Sequence, residues 1–190
     1  DNVLLLYNEL KSMNIIINEQ IYGTTINACS HSFCKESAID LWNEIKIVYN
    51  NNIPQQIITS MIDCLGRTGD LNKQELLYNE YNNQLSYKYK MISLINILSC
   101  CKTYRDVKRG ERIFYIVRKM ADTYKSDPWV FENVIMASHV LLNNIRIIKR
   151  EIERGGKPPE DDGRLKKRPG KSWLEIEGEM YEFFANMYFY

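Results

Sequence analysis

Five cysteines are the residues of this chain best suited to metal binding or nucleophilic chemistry. Because their number is odd and no two of them form a C-x-x-C pair, the sequence signals neither a disulfide framework nor a tetrahedral zinc site. A reducing compartment therefore fits the chain best. We find no nucleophile–base pair and no phosphate-binding loop either, so we predict no catalytic residue, no metal and no cofactor. The cysteines are Cys29, Cys34, Cys64, Cys100 and Cys101.

The overall charge is close to balanced. The 190 residues include 25 Lys and Arg against 24 Asp and Glu, a formal net charge of +1. This balance provides no global field for a polyanion, so any nucleic-acid binding must be local. A hydrophobic content of 45% is enough for a folded core. No apolar run approaches the roughly 20 residues of a membrane span, and Asp1 and Asn2 show neither an initiator Met nor a targeting pattern, so we expect a fragment or a processed form.

An internal repeat supplies the elements that would position any binding residue. Residues 7–11 (YNELK), 42–46 (WNEIK) and 78–82 (YNEYN) are similar and stand 35 and then 36 residues apart. Within a copy, apolar residues recur at helical spacing, and a polar break such as residues 66–70 separates two halves. Each copy predicts a helix, a short turn and a second helix. Because one such hairpin cannot bury its own apolar face, we expect neighbours to stack into a continuous core.

We predict an all-α fold, an α-solenoid of stacked helical hairpins, rather than an ordinary helical bundle with coincidental similarity. Residues 173–184 differ, because their weak alternation around Glu177 and Gly178 predicts a small C-terminal β-hairpin. A disordered tail with a few aromatic residues is the alternative. The predicted segments are 1–18 (second helix of a preceding repeat), 19–54, 55–90 and 91–125 (one repeat each), and 126–190 (a C-terminal region with an inserted loop at 155–165).

The repeats and the C-terminal stretch resemble a known family over nearly the whole chain. Residues 22–32 (YGTTINACSHS) resemble the first helix of a plant-type pentatricopeptide repeat, and residues 61–71 (MIDCLGRTGDL) resemble the long-type repeat that follows it. Residues 98–102 and 106–112 resemble the short-type repeat that closes such arrays. Residues 166–179 (KKRPGKSWLEIEGE), followed by Tyr181, Glu182 and Phe183, resemble the extension motif of the PLS class that edits organelle RNA. A tetratricopeptide array, a peptide binder of similar period, matches less well.

The resemblance implies binding of single-stranded RNA, with one base read per repeat by two or three side chains. In this family a first-helix residue and the last residue of the repeat hydrogen-bond the base edge. Thr59 and Asn18 carry groups that suit this role, whereas the other positions favour a weak base code or an ordinary helix surface. By alignment the first-helix positions are Gly23, Thr59 and Ile95, and the closing positions are Asn18, Pro54 and Lys90.

Basic residues gather on the third predicted repeat and could contact phosphates. The interleaved Asp106 and Glu111 favour a solvated helix face instead. Residues 166–168 form a second basic run, which is more typical of a solubilising segment. The first group comprises Lys102, Arg105, Lys108, Arg109 and Arg112.

Relatives that edit RNA often end in a zinc deaminase domain, which needs a His-x-Glu and a C-x-x-C. Neither His31 nor His139 is followed by Glu two residues on, so we expect any such activity in a missing downstream domain or in a partner. The resemblance implies that the extension motif recruits or positions that enzyme. The motif residues concerned are Pro169, Gly170, Ser172, Trp173 and Glu175.

Two functions remain open from the sequence. The first is a fragment of an RNA-binding protein of organelle RNA editing or processing, in a mitochondrion or plastid with the mitochondrion favoured. Its partners would be single-stranded RNA and an editing deaminase or another editing factor. We expect neither a membrane nor DNA among its partners. The second is a protein-interaction scaffold without direct RNA reading, which the near-neutral charge and the aromatic residues Trp173, Tyr181 and Phe183 favour.

Overall fold

The structure, a computed structural model, describes residues 2–50, 52–123, 138, 141–146, 150, 170–176 and 179–185. It divides the chain into two compact units, Asp1–Tyr104 and Arg105–Tyr190. The loop expected at 155–165 lies outside the described residues. Unit 1 contains helices α1 (Asn2–Ser12), α2 (Glu19–His31), α3 (Lys35–Val48), α4 (Gln55–Arg67), α5 (Leu71–Tyr81) and α6 (Tyr87–Thr103), with a 3₁₀ turn at Asn82–Gln84. Unit 2 contains helix α7 (Val107–Thr123) and strands β1 (Gly170–Ile176) and β2 (Glu179–Ala185).

Unit 1 is an all-α stack of helical hairpins, which confirms the prediction from the repeat. The first helices of the hairpins, α2, α4 and α6, pack side by side, and the second helices α3 and α5 each lie against the first helices on both sides. Equivalent positions of the first helices, Ile26, Ile62 and Leu98, are fully buried. Because burying an aliphatic side chain of this size contributes about 1.5–3 kcal/mol, this apolar register holds the layer together.

The turns inside the hairpins share one backbone geometry. The first helices end at His31, Arg67 and Thr103, each 36 residues after the one before. The turn then places a residue in the left-handed region, with φ of 56° at Phe33, 87° at Gly69 and 59° at Arg105. In the first two turns the next N–H donates to a carbonyl five residues back, from Cys34 to Cys29 at 3.0 Å and from Asp70 to Leu65 at 2.9 Å. These bonds form the Schellman motif that ends a helix and reverses the chain.

The second helices are linked by polar and aromatic contacts. Glu44 on α3 accepts hydrogen bonds from Tyr7 Oη and Lys11 Nζ on α1, both at 2.7 Å, and from Tyr22 Oη on α2 at 3.3 Å. Burial raises the pKa of the Glu44 carboxyl, but these donors together outweigh burial, and the pKa falls below its ordinary value. Further along, Lys35 Nζ pairs with Asp70 Oδ2 at 2.9 Å. The links from Glu44 to α1 and from Lys35 to Asp70 therefore join one repeat to the next, whereas the Tyr22–Glu44 bond lies within one repeat.

Helix α6 begins earlier than the repeat predicts. Helices α2 and α4 begin at Glu19 and Gln55, so a period of 36 places the next start at residue 91, yet α6 begins at Tyr87. The expected boundary between the second and third repeats therefore falls inside a helix. The 3₁₀ turn at Asn82–Gln84 and the extended residues Leu85 and Ser86 lead the chain into an additional helical turn that begins at Tyr87.

The described part of unit 2 includes the amphipathic helix α7 and the strands β1 and β2. Ile113, Phe114 and Val117 form the buried side of α7, and Asp106 Oδ1 accepts a hydrogen bond from Arg109 N at 3.1 Å at its start. Residues 138, 141–146 and 150 are helical. Strands β1 and β2 pair antiparallel, with Trp173 opposite Glu182.

Candidate nucleic-acid interface

The first-helix layer of unit 1 has one buried face and one face open to solvent. Along α2, the polar residues Gln20, Thr24 and Asn27 are exposed, whereas Tyr22, Thr25 and Ile26 are buried. The positions equivalent to Thr24 on the next two first helices are Ser60 and Asn96, and both remain partly accessible. The open face therefore carries a polar residue at the same position of each first helix.

The three predicted first-helix positions differ in accessibility. Gly23 is partly accessible, and a Cβ added there would meet no atom within 4 Å. Thr59 is only 8% exposed, and its hydroxyl donates to the carbonyl of Gln55 at 2.9 Å. Ile95 is 6% exposed. The structure thus leaves open space at Gly23 and buries the side chains at the other two positions.

The three predicted closing positions fall into two geometries. Asn18 precedes α2 as its N-cap, and its Oδ1 accepts a hydrogen bond from Ile21 N at 3.0 Å, which leaves the amide nitrogen as the remaining donor. Pro54 holds the same place before α4 but has no polar side-chain atom. Lys90 instead lies inside α6, where its N–H donates to the carbonyl of Ser86 at 3.0 Å. Lys90 is therefore a residue within a helix, whereas Asn18 and Pro54 are N-cap residues that precede one.

Gln55 connects the starts of two first helices. Its side-chain oxygen accepts a hydrogen bond from the backbone N–H of Ser86 at 2.5 Å, across the boundary between α4 and α6. The early turn of α6 is thereby fixed beside the beginning of α4, next to Pro54. Sequence reasoning missed this contact, because the two residues are 31 positions apart and neither belongs to the repeated pattern.

Charge is distributed unevenly over the first helices. Helix α2 carries Glu19, and α4 carries Asp63 and Arg67, which pair at 2.6 Å. Helix α6 carries Lys88, Lys90 and Lys102, and no acidic residue occurs in the sequence between Glu80 and Asp106. The third first helix is therefore locally cationic in a chain whose net charge is only +1.

The predicted basic group is divided between the two units. Lys102 is exposed on α6, and Arg105 occupies the left-handed turn residue after it. On α7, Arg109 pairs with Asp106 at 3.4 Å, while Lys108 and Arg112 are exposed. The Arg109 side chain is thus paired with Asp106 at the start of its own helix.

The predicted partner-binding residues lie in unit 2. Gly170, Ser172, Trp173 and Glu175 belong to β1. Pro169 lies outside the described residues.

Four of the five cysteines of unit 1 are buried, and Cys34 is partly accessible. Burial raises the pKa of Cys64 and of Cys100 to about 12, and it also raises the pKa of Cys29. These thiols stay protonated at neutral pH, which makes them poor nucleophiles and poor metal ligands. Within the described part of the chain, no group of three or more His, Cys, Asp or Glu side chains could hold a metal ion. No helix in that part is long and apolar enough to cross a membrane.

Curated proteins similar to this chain are pentatricopeptide repeat proteins of Arabidopsis thaliana. A mitochondrial one is 25% identical over 190 residues, which is 100% of this chain and 23% of the relative. A second mitochondrial one is 26% identical over 95% of this chain and 24% of its own length. Another relative, whose name gives no organelle, is 28% identical over 95% of this chain and 22% of its own length. Another relative in the same comparison is named chloroplastic.

No protein-family model matches the chain. The chain spans about a quarter of the length of the three relatives described above. These similarities, together with the helical hairpins of unit 1, support the resemblance to the pentatricopeptide family.

Proposed function

We propose that this chain is part of a pentatricopeptide repeat protein that binds single-stranded RNA in an organelle. One observation carries the proposal: α2, α4 and α6 form one layer, and each presents an accessible polar residue at the same position of its open face, namely Thr24, Ser60 and Asn96. A row of hydrogen-bonding groups at a constant repeat spacing suits a polymer of regularly spaced bases. The similarity to relatives named mitochondrial favours the mitochondrion, with the plastid as the alternative.

In this proposal the described repeats read bases weakly. The Asn18 side-chain amide nitrogen remains available to donate a hydrogen bond to a base edge. Gly23 has no side chain, so the first helix of the same repeat does not contact that base at this position. Pro54 offers no polar group, and burial limits what Thr59 and Ile95 can reach. Affinity at these repeats would therefore depend more on the RNA backbone than on its sequence.

The finer proposal is a role in RNA editing or processing, with a deaminase or another editing factor as the partner. The residues concerned are Gly170, Ser172, Trp173 and Glu175 on β1, together with Pro169. Support comes from the resemblance of residues 166–179 to an editing extension motif. The alternative, a protein-interaction scaffold without RNA reading, draws on the weak base code.

RNA binding is tested by titrating the chain against fluorescent single-stranded homopolymers, at low salt and then at roughly 50 to 200 mM salt. We expect binding to each homopolymer with modest differences among them. The absence of binding to any of them at low salt would overturn the proposal and favour the scaffold. A pull-down with Trp173→Ala tests the partner role, because a partner held by this motif would be lost.

A further inference from the structure

Helix α1 carries apolar side chains that face solvent. Val3, Leu6 and Leu10 are three and four residues apart, so they form one stripe along the helix, which we call the α1 stripe. Val3 and Leu6 are exposed, and Leu10 is partly accessible. An element that ends a stack of helical repeats needs a polar outer face for solubility, because no neighbour covers it. The α1 stripe is apolar and so does not have the composition of such an end.

The repeat shows which side chains of α1 are uncovered. Its offsets of 35 and then 36 residues align Leu6 with Leu41 of α3 and with Leu77 of α5. Leu6 is 55% exposed, whereas Leu41 and Leu77 are 5% and 7% exposed. Val3 is also exposed, and its equivalent Ala38 is buried. The stripe therefore occupies positions that belong to the core in the other copies.

Leu5 shows that this exposure is not common to every apolar residue of α1. Its side chain is 67% exposed, and that of its equivalent Leu76 is 66% exposed although α5 lies inside the stack. The repeat thus leaves the position of Leu5 open to solvent in both copies. Leu6 differs, because its position is covered on α3 and α5.

The uncovered surface has a structural cause. Helix α3 packs against α2, the first helix of its own repeat, and against α4 of the next repeat. Helix α5 packs in the same way against α4 and α6. Helix α1 packs against α2 of the next repeat, but within the described residues, which begin at Asn2, no first helix of its own repeat lies beside it. The α1 stripe is therefore the surface that a first helix covers in the other repeats.

We propose that the α1 stripe is the docking site for the first helix of one further repeat, supplied by a segment that precedes Asp1 in a longer chain. The occupant is an amphipathic helix with buried apolar residues spaced like Tyr22, Ile26 and Cys29 of α2, which packs on α3. The relatives support this occupant, because the chain spans about a quarter of their length. The inference is independent of the proposed RNA binding.

The test supplies such a helix from the chain itself. Residues 19–35, which contain α2 and the turn after it, are fused ahead of Asp1. Because Asp1 aligns with Glu36, the added copy meets α1 in the register in which α2 meets α3. Urea unfolding followed by circular dichroism should show a higher midpoint for this extended chain than for the 190-residue chain, since the stripe becomes buried.

Two variants show whether the increase comes from the stripe. Leu6→Gln should remove most of the increase, because Leu6 contacts the added helix only in the extended chain. Leu5→Gln is the matched control, an equal change one residue away at a position that stays exposed, and it should leave the increase intact. Each variant is made in both chains, so that its effect on the 190-residue chain is subtracted.

The other possible occupant is a second copy of the chain, and its result is distinct. Sedimentation velocity of the 190-residue chain over a range of concentrations should show a monomer. A dimer that Leu6→Gln dissociates and Leu5→Gln does not would overturn the proposal, because the stripe would then pair with itself. An unchanged midpoint in the extended chain would overturn it too, and so would an increase that the two variants reduce equally.

Discussion

Phe33 and Gly69 occupy the same backbone position in consecutive repeats, 36 residues apart, and both are left-handed, with φ of 56° and 87°. Glycine adopts this conformation without strain, whereas a residue with a Cβ loses about 1–2 kcal/mol there. The Phe33 side chain is 56% exposed and recovers only part of that cost through burial.

Replacing Phe33 with Gly should therefore stabilise the chain by about 0.5–1 kcal/mol, after allowing for the greater freedom of glycine in the unfolded state. Urea unfolding followed by circular dichroism measures the change. The matched variant Gly69→Ala introduces strain in the equivalent turn and should destabilise by about 1 kcal/mol. A loss of stability in Phe33→Gly would show that the aromatic contacts outweigh the strain.

A missing helix cap provides a second prediction. Cys34 and Asp70 precede α3 and α5 with nearly the same backbone angles, φ of −86° and −94° and ψ of 71° and 67°. Asp70 accepts a hydrogen bond from Lys73 N at 3.1 Å, but Cys34 makes no side-chain cap. Cys34→Asp should therefore add about 1 kcal/mol of stability, read from the urea midpoint, and Cys34→Ala should add none. Equal effects of the two variants would rule out capping as the cause.

Two glycines in first helices should respond oppositely to alanine. A Cβ at Gly66 would clash with Gln74 Nε2 and Cys100 Sγ, both buried where α5 and α6 meet α4. Gly66→Ala should therefore cost about 1–3 kcal/mol. At Gly23 a Cβ would meet nothing within 4 Å, so Gly23→Ala should stabilise by up to about 1 kcal/mol through helix propensity. Thermal unfolding of the pair checks both signs, and a neutral Gly66→Ala would mean that the helices separate easily.

The Glu44 network predicts an acid-dependent loss of stability. Because the pKa of Glu44 is lowered in the folded state, the unfolded chain binds its proton first as the pH falls below the ordinary value of 4.5. The stabilisation is complete above that value and disappears as the pH drops through the folded pKa. Urea midpoints measured across this range should fall more steeply for the unaltered chain than for Glu44→Gln. Parallel curves for the two proteins would count against the network.

The open space at Gly23 allows a gain-of-function experiment under the proposed RNA binding. Gly23→Asn places an amide on the open face of α2, in the repeat that Asn18 precedes, and one added hydrogen bond of about 1 kcal/mol corresponds to roughly fivefold tighter binding. The gain should appear for some homopolymers and not for others. Gly23→Ala is the control, because it adds a Cβ without a hydrogen-bonding group. Equal gains for every homopolymer would exclude base reading at this position.

The sequence predicted the repeat because packing demands it at regular positions. Tyr7, Trp42 and Tyr78, which revealed the period, are all buried on second helices, so their types are restricted in the same way in each copy. The apolar register of Ile26, Ile62 and Leu98 follows from the same demand.

The accessibility of individual positions could not be read from the sequence. Thr59 and Ile95 align with Gly23 in the repeat, yet burial at each position depends on the neighbouring helices, which alignment does not contain. The early start of α6 depends on the 3₁₀ turn and on the contact between Gln55 and Ser86, which no local propensity specifies. The local sequence pattern therefore predicts which helices form. Long-range contacts decide where a helix begins and which of its side chains are exposed.

Successive repeats of unit 1 are held together differently on the first-helix side and on the second-helix side, so the two sides should respond differently to salt. The first-helix layer is held by apolar contacts that salt does not screen, whereas the second-helix side adds to its apolar contacts the ion pairs Lys11–Glu44 and Lys35–Asp70, which salt screens. We expect the second-helix side to loosen first as ionic strength rises, while the first-helix side acts as a hinge. The spacing between successive repeats would then change most at the second-helix surface and least on the open first-helix face, so the row formed by Thr24, Ser60 and Asn96 would keep its spacing as salt rises.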